Sequence, residues 1–280
     1  MKDITLLDGA TGTRLLDFAD EAGVERVSAW IYNIEHPEFV TREAREYVEA
    51  GSRIILTNTF SANGPEVESR SGYTAPQVVA AAVAAARSAV AGTDARVALD
   101  IGPLSETLEP FGDMGAEAAA GYFGEMLRAG ADAGAELVFF ETFMDLRMML
   151  VAAREAAKYP LPIFCCMTFS AAGRTLFGDS VADFVSAVAP LGVAALGLNC
   201  SLGPDLAAPI MREFAARTAL PLIFKPNAGM PILCGDGSTR YECSAEDFLR
   251  QSEAAFPYIQ YIGGCCGTDA SHIRALSRRL

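Results

Sequence analysis

The sequence predicts a single (β/α)8 barrel over residues 1–280, and three observations carry the prediction: eight short apolar runs, helical periodicity between them, and no Ser/Pro/Gly-rich linker. A chain of 280 residues with 51% hydrophobic and 20% charged residues can bury a full core, and barrels of roughly 250 residues form one domain.

The first run is Thr5-Leu6-Leu7, which ends at Asp8-Gly9-Ala10-Thr11-Gly12. Val40, Ala44, Tyr47 and Val48 then recur on one helical face that stops at Gly51. Ile54-Ile55-Leu56-Thr57 is the second run, ending at Asn58-Thr59-Phe60; Val78, Val79, Val83 and Val90 mark its helix, and the Ala-rich stretch 80–86 is good helix former. Val97-Ala98-Leu99 leads into Asp100-Ile101-Gly102-Pro103, with a helix through Tyr122, Phe123, Met126 and Leu127. The fourth run, Leu137-Val138-Phe139-Phe140, ends at Glu141-Thr142. The fifth, Ile163-Phe164-Cys165-Cys166, ends near Thr168; Ser180-x-x-Asp183 has the capping-box spacing ahead of Phe184, Val185 and Val188. Ala195-Leu196-Gly197-Leu198 ends at Asn199-Cys200-Ser201. Leu222-Ile223-Phe224 ends at Lys225-Pro226-Asn227-Ala228-Gly229, and Ser244-x-x-Asp247 opens the following helix. Tyr258-Ile259-Gln260-Tyr261-Ile262 closes the series at Gly263-Gly264-Cys265-Cys266-Gly267. Most runs are continuously apolar, as strands covered on both faces must be.

Lys and Arg number 22 against 35 Asp and Glu, a net charge of −13 that argues against a nucleic-acid phosphate backbone or an anionic membrane as partner. The start, Met1-Lys2-Asp3-Ile4-Thr5, has no basic segment leading into an apolar one, and no later apolar run approaches 18 uninterrupted residues. The expectation is a cytoplasmic protein. Seven cysteines, an odd number in a chain of this length, point to packing, redox chemistry or metal rather than disulfides.

A barrel of this kind builds its active site on the C-terminal ends of its strands. Those ends place Cys200, Cys265 and Cys266 at one mouth, from the sixth and eighth runs. Three thiolates suit Zn²⁺, which binds sulfur at roughly 2.3 Å and in catalytic sites keeps a fourth position open. Neighbours Cys265 and Cys266 cannot both face one point from a regular strand, and the flanking glycines permit the irregular turn that would allow it. The plainer alternative makes one of the pair core and the other incidental. Cys165-Cys166, inside a strand, reads as packing; Cys234 and Cys243 read as bystanders. Asp8 and Glu141 serve either as turn or cap residues or, together, as a seat for a substrate ammonium group. Lys225 admits a Schiff-base role, but an ion pair with a mouth carboxylate is the stronger reading. His36 and His272 lie before or within helices, away from the strand ends, which leaves a histidine base without support.

Leu7-Asp8-Gly9-Ala10-Thr11-Gly12-Thr13, Thr57-Asn58-Thr59-Phe60, Gly197-Leu198-Asn199-Cys200-Ser201-Leu202-Gly203-Pro204, Pro226-Asn227-Ala228-Gly229 and Gly263-Gly264-Cys265-Cys266-Gly267-Thr268 together resemble the homocysteine S-methyltransferase family across the whole chain. Pro226-Asn227-Ala228-Gly229-Met230-Pro231 is most similar to the homocysteine domain of cobalamin-dependent methionine synthase. The resemblance implies that Cys200, Cys265 and Cys266 bind zinc with homocysteine thiolate as fourth ligand, and that Asn227 takes the fourth position when substrate is absent. It also implies that Asp8 and Glu141 hold the substrate amino group, while backbone groups at Gly9-Ala10 and Asn58-Thr59 bind its carboxylate. The chain departs from the family at Leu99-Asp100-Ile101-Gly102-Pro103, where many relatives carry a small residue and Ser, so Asp100 alters that wall. With one barrel and no folate, corrinoid or activation module in the sequence, the expected donor is methylcobalamin on a separate corrinoid protein. Betaine, S-methylmethionine and a thiol other than homocysteine stay open, as does a non-catalytic thiol- or zinc-binding subunit. Trp30, before His36-Pro37-Glu38, either stacks on a methyl-onium donor or caps the edge of the barrel.

Overall fold

The computed structural model describes residues 4–235 and 239–280, so the Met1–Asp3 start lies outside it. Eight parallel strands form one sheet: β1 (Thr5–Leu6), β2 (Ile54–Leu56), β3 (Arg96–Ile101), β4 (Leu137–Phe143), β5 (Ile163–Met167), β6 (Ala195–Asn199), β7 (Leu222–Lys225) and, after the antiparallel hairpin β8 (Ile232–Leu233) and β9 (Thr239–Arg240), β10 (Tyr261–Ile262). The hydrogen-bonded order is β1-β10-β7-β6-β5-β4-β3-β2. The seam between β1 and β2 is bridged differently: Arg53 N–H donates to Leu6 O at 2.8 Å, Ser52 Oγ to Leu7 O at 2.9 Å, and Leu56 N–H to an Asp8 carboxylate oxygen at 2.6 Å. The expected (β/α)8 barrel is therefore present.

Helices α3 (Pro37–Ala50), α5 (Ala75–Val90), α6 (Ala116–Ala133), α7 (Leu146–Ala156), α8 (Val181–Val188), α9 (Pro204–Arg217), α10 (Ala245–Ser252) and α11 (Ala270–Arg279) surround the sheet. Three further helices, α1 (Gly12–Ala22), α2 (Tyr32–Glu35) and α4 (Gly64–Arg70), lie in the loops after β1 and β2. Local chemistry sets the boundaries. Pro37 opens α3, where a missing N–H costs nothing, and Gly51 closes it at φ 116°. Ser180 and Asp183 form the expected reciprocal box on α8; at α10 Ser244 accepts from Asp247 N–H.

Strand alternation divides the core in two. Leu7, Ile54, Leu56, Ala98, Leu137, Phe139, Phe164, Cys166, Ala195 and Ile223 pack against one another as the barrel interior. Their neighbours Ile55, Val97, Leu99, Val138, Phe140, Cys165, Leu196 and Phe224 pack in the larger layer under the helices. Each fully buried Phe in these layers contributes about 1.5–3 kcal/mol relative to exposure. The strand phase also fixes the mouth: Asp100, Asn199 and Lys225 continue the inward series of Ala98, Ala195 and Ile223, and Glu141 follows Phe139.

Candidate active site

Three sulfurs meet where β6 and β10 end. Cys200, Cys265 and Cys266 place their Sγ atoms within 4.8 Å of one another, and Cys200 Sγ lies 3.8 Å from Cys266 Sγ. Ligands about 2.3 Å from a tetrahedral centre are about 3.8 Å apart, so this edge fits a shared zinc ion. The backbone has to leave regular strand geometry to achieve it. Cys200 and Ser201 take φ values of 59° and 63°, and Gly267 takes 80°. Gly263 lies so close to β1 that a Cβ there would sit 2.5 Å from Asp8 O.

Hydrogen bonds from Cys200 and Cys265 pull the Cys266 thiol down to about 3, with Tyr241 also acting on it. The neighbouring Cys265 lowers Cys200, but Cys266 and burial push it up to about 11. Donation to Cys200 and Cys266, with burial, raises Cys265 well above the usual thiol range. A divalent cation held between the three sulfurs would favour the thiolate form of all of them. Asn227 fits the same reading. It is 2% exposed, its Oδ1 has no hydrogen-bond partner among the described residues, its N–H donates to Leu202 O, and the next N–H, of Ala228, donates to Cys266 O.

The cavity beside the sulfurs has a volume of about 490 Å³, and its walls include Asp100, Glu141, Thr142, Lys225 and Trp30. A larger groove of about 680 Å³ on the outer face, between α5, α6 and α7, holds none of these groups. Lys225, 2% exposed, sets its Nζ 3.2 Å from Asp8 Oδ1 and 3.5 Å from Glu141 Oε2. Burial opposes its charge, but Glu141 and Asp8 hold its pKa well above the ordinary lysine value. The cation between the two carboxylates is thus the protein's own ammonium, an arrangement that opposes the neutral amine a Schiff base requires. Burial raises the pKa of Glu141; burial and then Glu141 raise that of Asp100. Behind them Glu43, fully buried, is raised by burial and then by Asp8.

Asn199, noted in the sequence as a strand-end residue beside Cys200, was given no role there. Its Oδ1 accepts from Thr142 N–H at 2.7 Å and its Nδ2 donates to Thr142 Oγ1 at 2.8 Å, while the same nitrogen lies 3.4 Å from Glu141 Oε2 and 3.8 Å from Cys265 Sγ. It holds Thr142 at φ 65°, a costly conformation for a β-branched residue. A polar residue on the inward phase of β6 was the available signal. Tyr241, just after the β8–β9 hairpin and close enough to Cys266 for each to shift the other's pKa, gave no signal in sequence.

The opposite wall offers donors. Gly9, Ala10 and Asn58 line the cavity, and their backbone N–H groups have no partner within the described residues. Thr11, Gly12 and Thr13 bring the positive N-terminal end of α1 to the same wall. Thr59 is different: it is fully buried, its N–H bonds Thr57 O and its hydroxyl bonds Asp100 O.

The remaining cysteines and histidines lie elsewhere. Cys165 and Cys166 are fully buried in β5, and Cys243 Sγ lies 3.7 Å from Gln251 Oε1. Cys234 is in the hairpin loop after β7, 3.9 Å from Ile232 O. His36 pairs with Glu38, and His272 with Asp269 and Cys243 O. Trp30 is 2% exposed, so the cavity meets only a sliver of its ring.

The sequence model of the homocysteine S-methyltransferase family matches residues 5–280. Methionine synthase from Mycobacterium leprae is 29% identical over 289 residues, and that from Mycobacterium tuberculosis 28% over 295. Each alignment covers 96% of this chain and 24% of the relative, so the chain spans about a quarter of the length of these enzymes. Among solved structures, the homocysteine methyltransferase MmuM from Escherichia coli matches in its metallated form with a TM-score of 0.81 and 25% identity, covering 100% of this chain and 97% of that one. Its apo form matches with a TM-score of 0.75 and 27% identity, over the same shares.

Proposed function

Because the chain belongs to the homocysteine S-methyltransferase family, a family of methyltransferase enzymes, we propose that it transfers a methyl group to the sulfur of homocysteine and gives methionine, with zinc on Cys200, Cys265 and Cys266. The observation that carries this reading is the sulfur triad at the mouth, with a tetrahedral edge between Cys200 and Cys266. Zinc held there would keep an entering thiol, whose free pKa is about 8.5, deprotonated at neutral pH.

The chain's own part is alignment. The free N–H groups of Gly9 and Ala10, just before α1, and of Asn58, just after β2, suit the substrate carboxylate. Glu141 suits the ammonium, with Asp8 acting behind it by fixing Lys225. Held at both ends, the amino acid presents its sulfur to the open mouth in one orientation. A donor whose leaving group is cob(I)alamin, a tertiary amine or a thioether needs no proton from the protein, which agrees with a cavity lined by no histidine among the described residues.

The donor we propose is a methylated corrinoid carried by another protein or by a further domain. Eight of the ten large apolar residues exposed among the described residues sit in the segments that follow the C-terminal ends of the barrel strands: Phe60, Phe111, Met144, Leu176, Phe177, Met230 and, in β8, Ile232 and Leu233. Phe111 and Phe177 meet across two loops, with the Arg147 guanidinium 4.6 Å from the Phe111 ring. A rim of this kind suits a macromolecular donor, whereas the burial of Trp30 leaves little aromatic face for a small onium ion. No helix among the described residues is long and apolar enough to cross a membrane. The test is methionine formation by zinc-loaded protein from homocysteine and, in turn, methylcobalamin, a methylated corrinoid protein, betaine and S-methylmethionine. Turnover with the corrinoid donors is expected. Turnover with betaine or S-methylmethionine alone would overturn the donor assignment.

A further inference from the structure

We propose that Asp100 determines the amino-acid specificity of this cavity: its carboxylate, together with Glu141, receives the α-ammonium of the thiol substrate. This rests on the homocysteine reading above and assigns that ammonium to a residue of β3 rather than to Asp8. Asp100 follows Ala98 on the inward phase of its strand, lines the cavity, and is 4% exposed. Neither of its carboxylate oxygens has a hydrogen bond or ion pair among the described residues, and Oδ1 is wholly buried. Of the buried side-chain polar atoms without a hydrogen-bond partner among the described residues, only this oxygen and Trp30 Nε1 belong to residues that line the cavity; the latter is a donor and cannot meet a cation. A buried carboxylate without a partner is costly, and an arriving ammonium removes the cost.

Asp8, by contrast, is 1% exposed and is not part of the cavity wall. Its Oδ2 accepts from Leu56 N–H and its Oδ1 faces Lys225, so both oxygens are engaged. The ammonium of Lys225 lies within ion-pair distance of Asp8 and Glu141, and no such pair reaches Asp100. The backbone of Asp100 is fixed on both sides: its N–H donates to Thr57 Oγ1 at 3.0 Å, and its carbonyl accepts from Thr59 Oγ1 at 2.6 Å. The two hydroxyls are themselves 2.6 Å apart.

The order of groups around the mouth gives the ligand class. Free N–H groups lie after β1 and β2, carboxylates on β3 and β4, and sulfurs after β6 and β10. A molecule bearing a carboxylate, a neighbouring ammonium and a thiol on a short chain meets the three arcs in that order.

The experiment is calorimetric titration of zinc-loaded wild type and D100N with homocysteine and with 4-sulfanylbutanoate, which has the same chain and thiol but no amino group. Wild type is expected to prefer homocysteine. D100N is expected to lose roughly ten- to hundredfold in homocysteine affinity and to bind 4-sulfanylbutanoate as wild type does, which also shows that the variant is folded and metal-loaded. A D100N protein with wild-type preference for homocysteine would overturn the role of Asp100 alone. Wild type that binds neither thiol, or binds both equally, would overturn the homocysteine reading and this inference with it.

Discussion

Replacing Lys225 with Met removes the cation that sits 3.2 Å from Asp8 and 3.5 Å from Glu141. Both carboxylates, 1% and 12% exposed, would then have no counter-ion, and breaking a buried pair from one side costs about 3–5 kcal/mol. A domain has about 5–15 kcal/mol in total, so the variant should be severely but measurably destabilised in urea unfolding of the metal-free protein. Metal is removed from both proteins because binding to the folded state would mask the difference. The double variant D8N/K225M should recover part of the loss: a carboxamide at position 8 still offers an oxygen to Leu56 N–H and leaves one buried charge fewer. The pH dependence has a definite sign. The folded-state pKa of Lys225 lies well above its ordinary 10.5, so its contribution is complete below that value and is lost as pH rises through the folded pKa. The gap between wild type and K225M should therefore hold at neutral pH and narrow only above about pH 10.4. A loss under about 1 kcal/mol, or a double variant as unstable as the sum of the single ones, would refute a buried ion-paired lysine.

Single Ala substitutions at Cys200, Cys265 and Cys266 should each abolish stoichiometric zinc binding by metal analysis, whereas Cys234→Ala and Cys243→Ala should retain it; the reverse pattern would dismiss the ligand assignment. Burial raises Glu43 well above its usual 4.5, so the folded protein binds more protons than the unfolded chain from about that pH upward, and stability falls as pH rises to the folded pKa. Glu43→Gln should flatten that slope and stabilise the protein at pH 8 by about 1.4 kcal/mol per unit of displacement removed; an unchanged slope would place the titration elsewhere.

The barrel was legible because strands covered on both faces must be apolar throughout, and all eight runs pair in the sheet. What blurred was where they end. β3 continues to Ile101 and β4 to Phe143, past Asp100 and Glu141, where a reading that stops at the first charge stops too early. The last run shows the opposite error: the strand is Tyr261–Ile262, with Gln260 joining it at its start, its N–H donating to Leu222 O, its carbonyl accepting from Thr5 N–H, and its side chain accepting from Leu222 N–H at 2.7 Å. The sulfur triad could be placed from strand order and Gly-flanked spacing. Lys225 was expected to pair with a mouth carboxylate, and it lies beside two; that both Asp8 and Glu141 reach it could not be read in advance, since distance between strand ends is a tertiary fact.

Two kinds of mouth residue follow from one rule of strand geometry. A group two residues beyond a core position inherits its direction, which is how Asp100, Asn199 and Lys225 reach the interior without any backbone adjustment. A group next to such a residue points the wrong way and must be turned. Cys200 follows inward-facing Asn199 and takes φ 59°; Thr142 follows cavity-lining Glu141 and takes φ 65°, beside the register shift between Phe140 and Phe143. Each such non-glycine conformation costs of order 1–3 kcal/mol, and at Thr142 the Asn199 carboxamide offsets it with two short hydrogen bonds. At Cys200 and Thr142 the irregular backbone thus serves adjacent residues that face the same cavity. Replacing Asn199 should release Thr142 first, and through it the wall that carries Glu141, before it disturbs the barrel below.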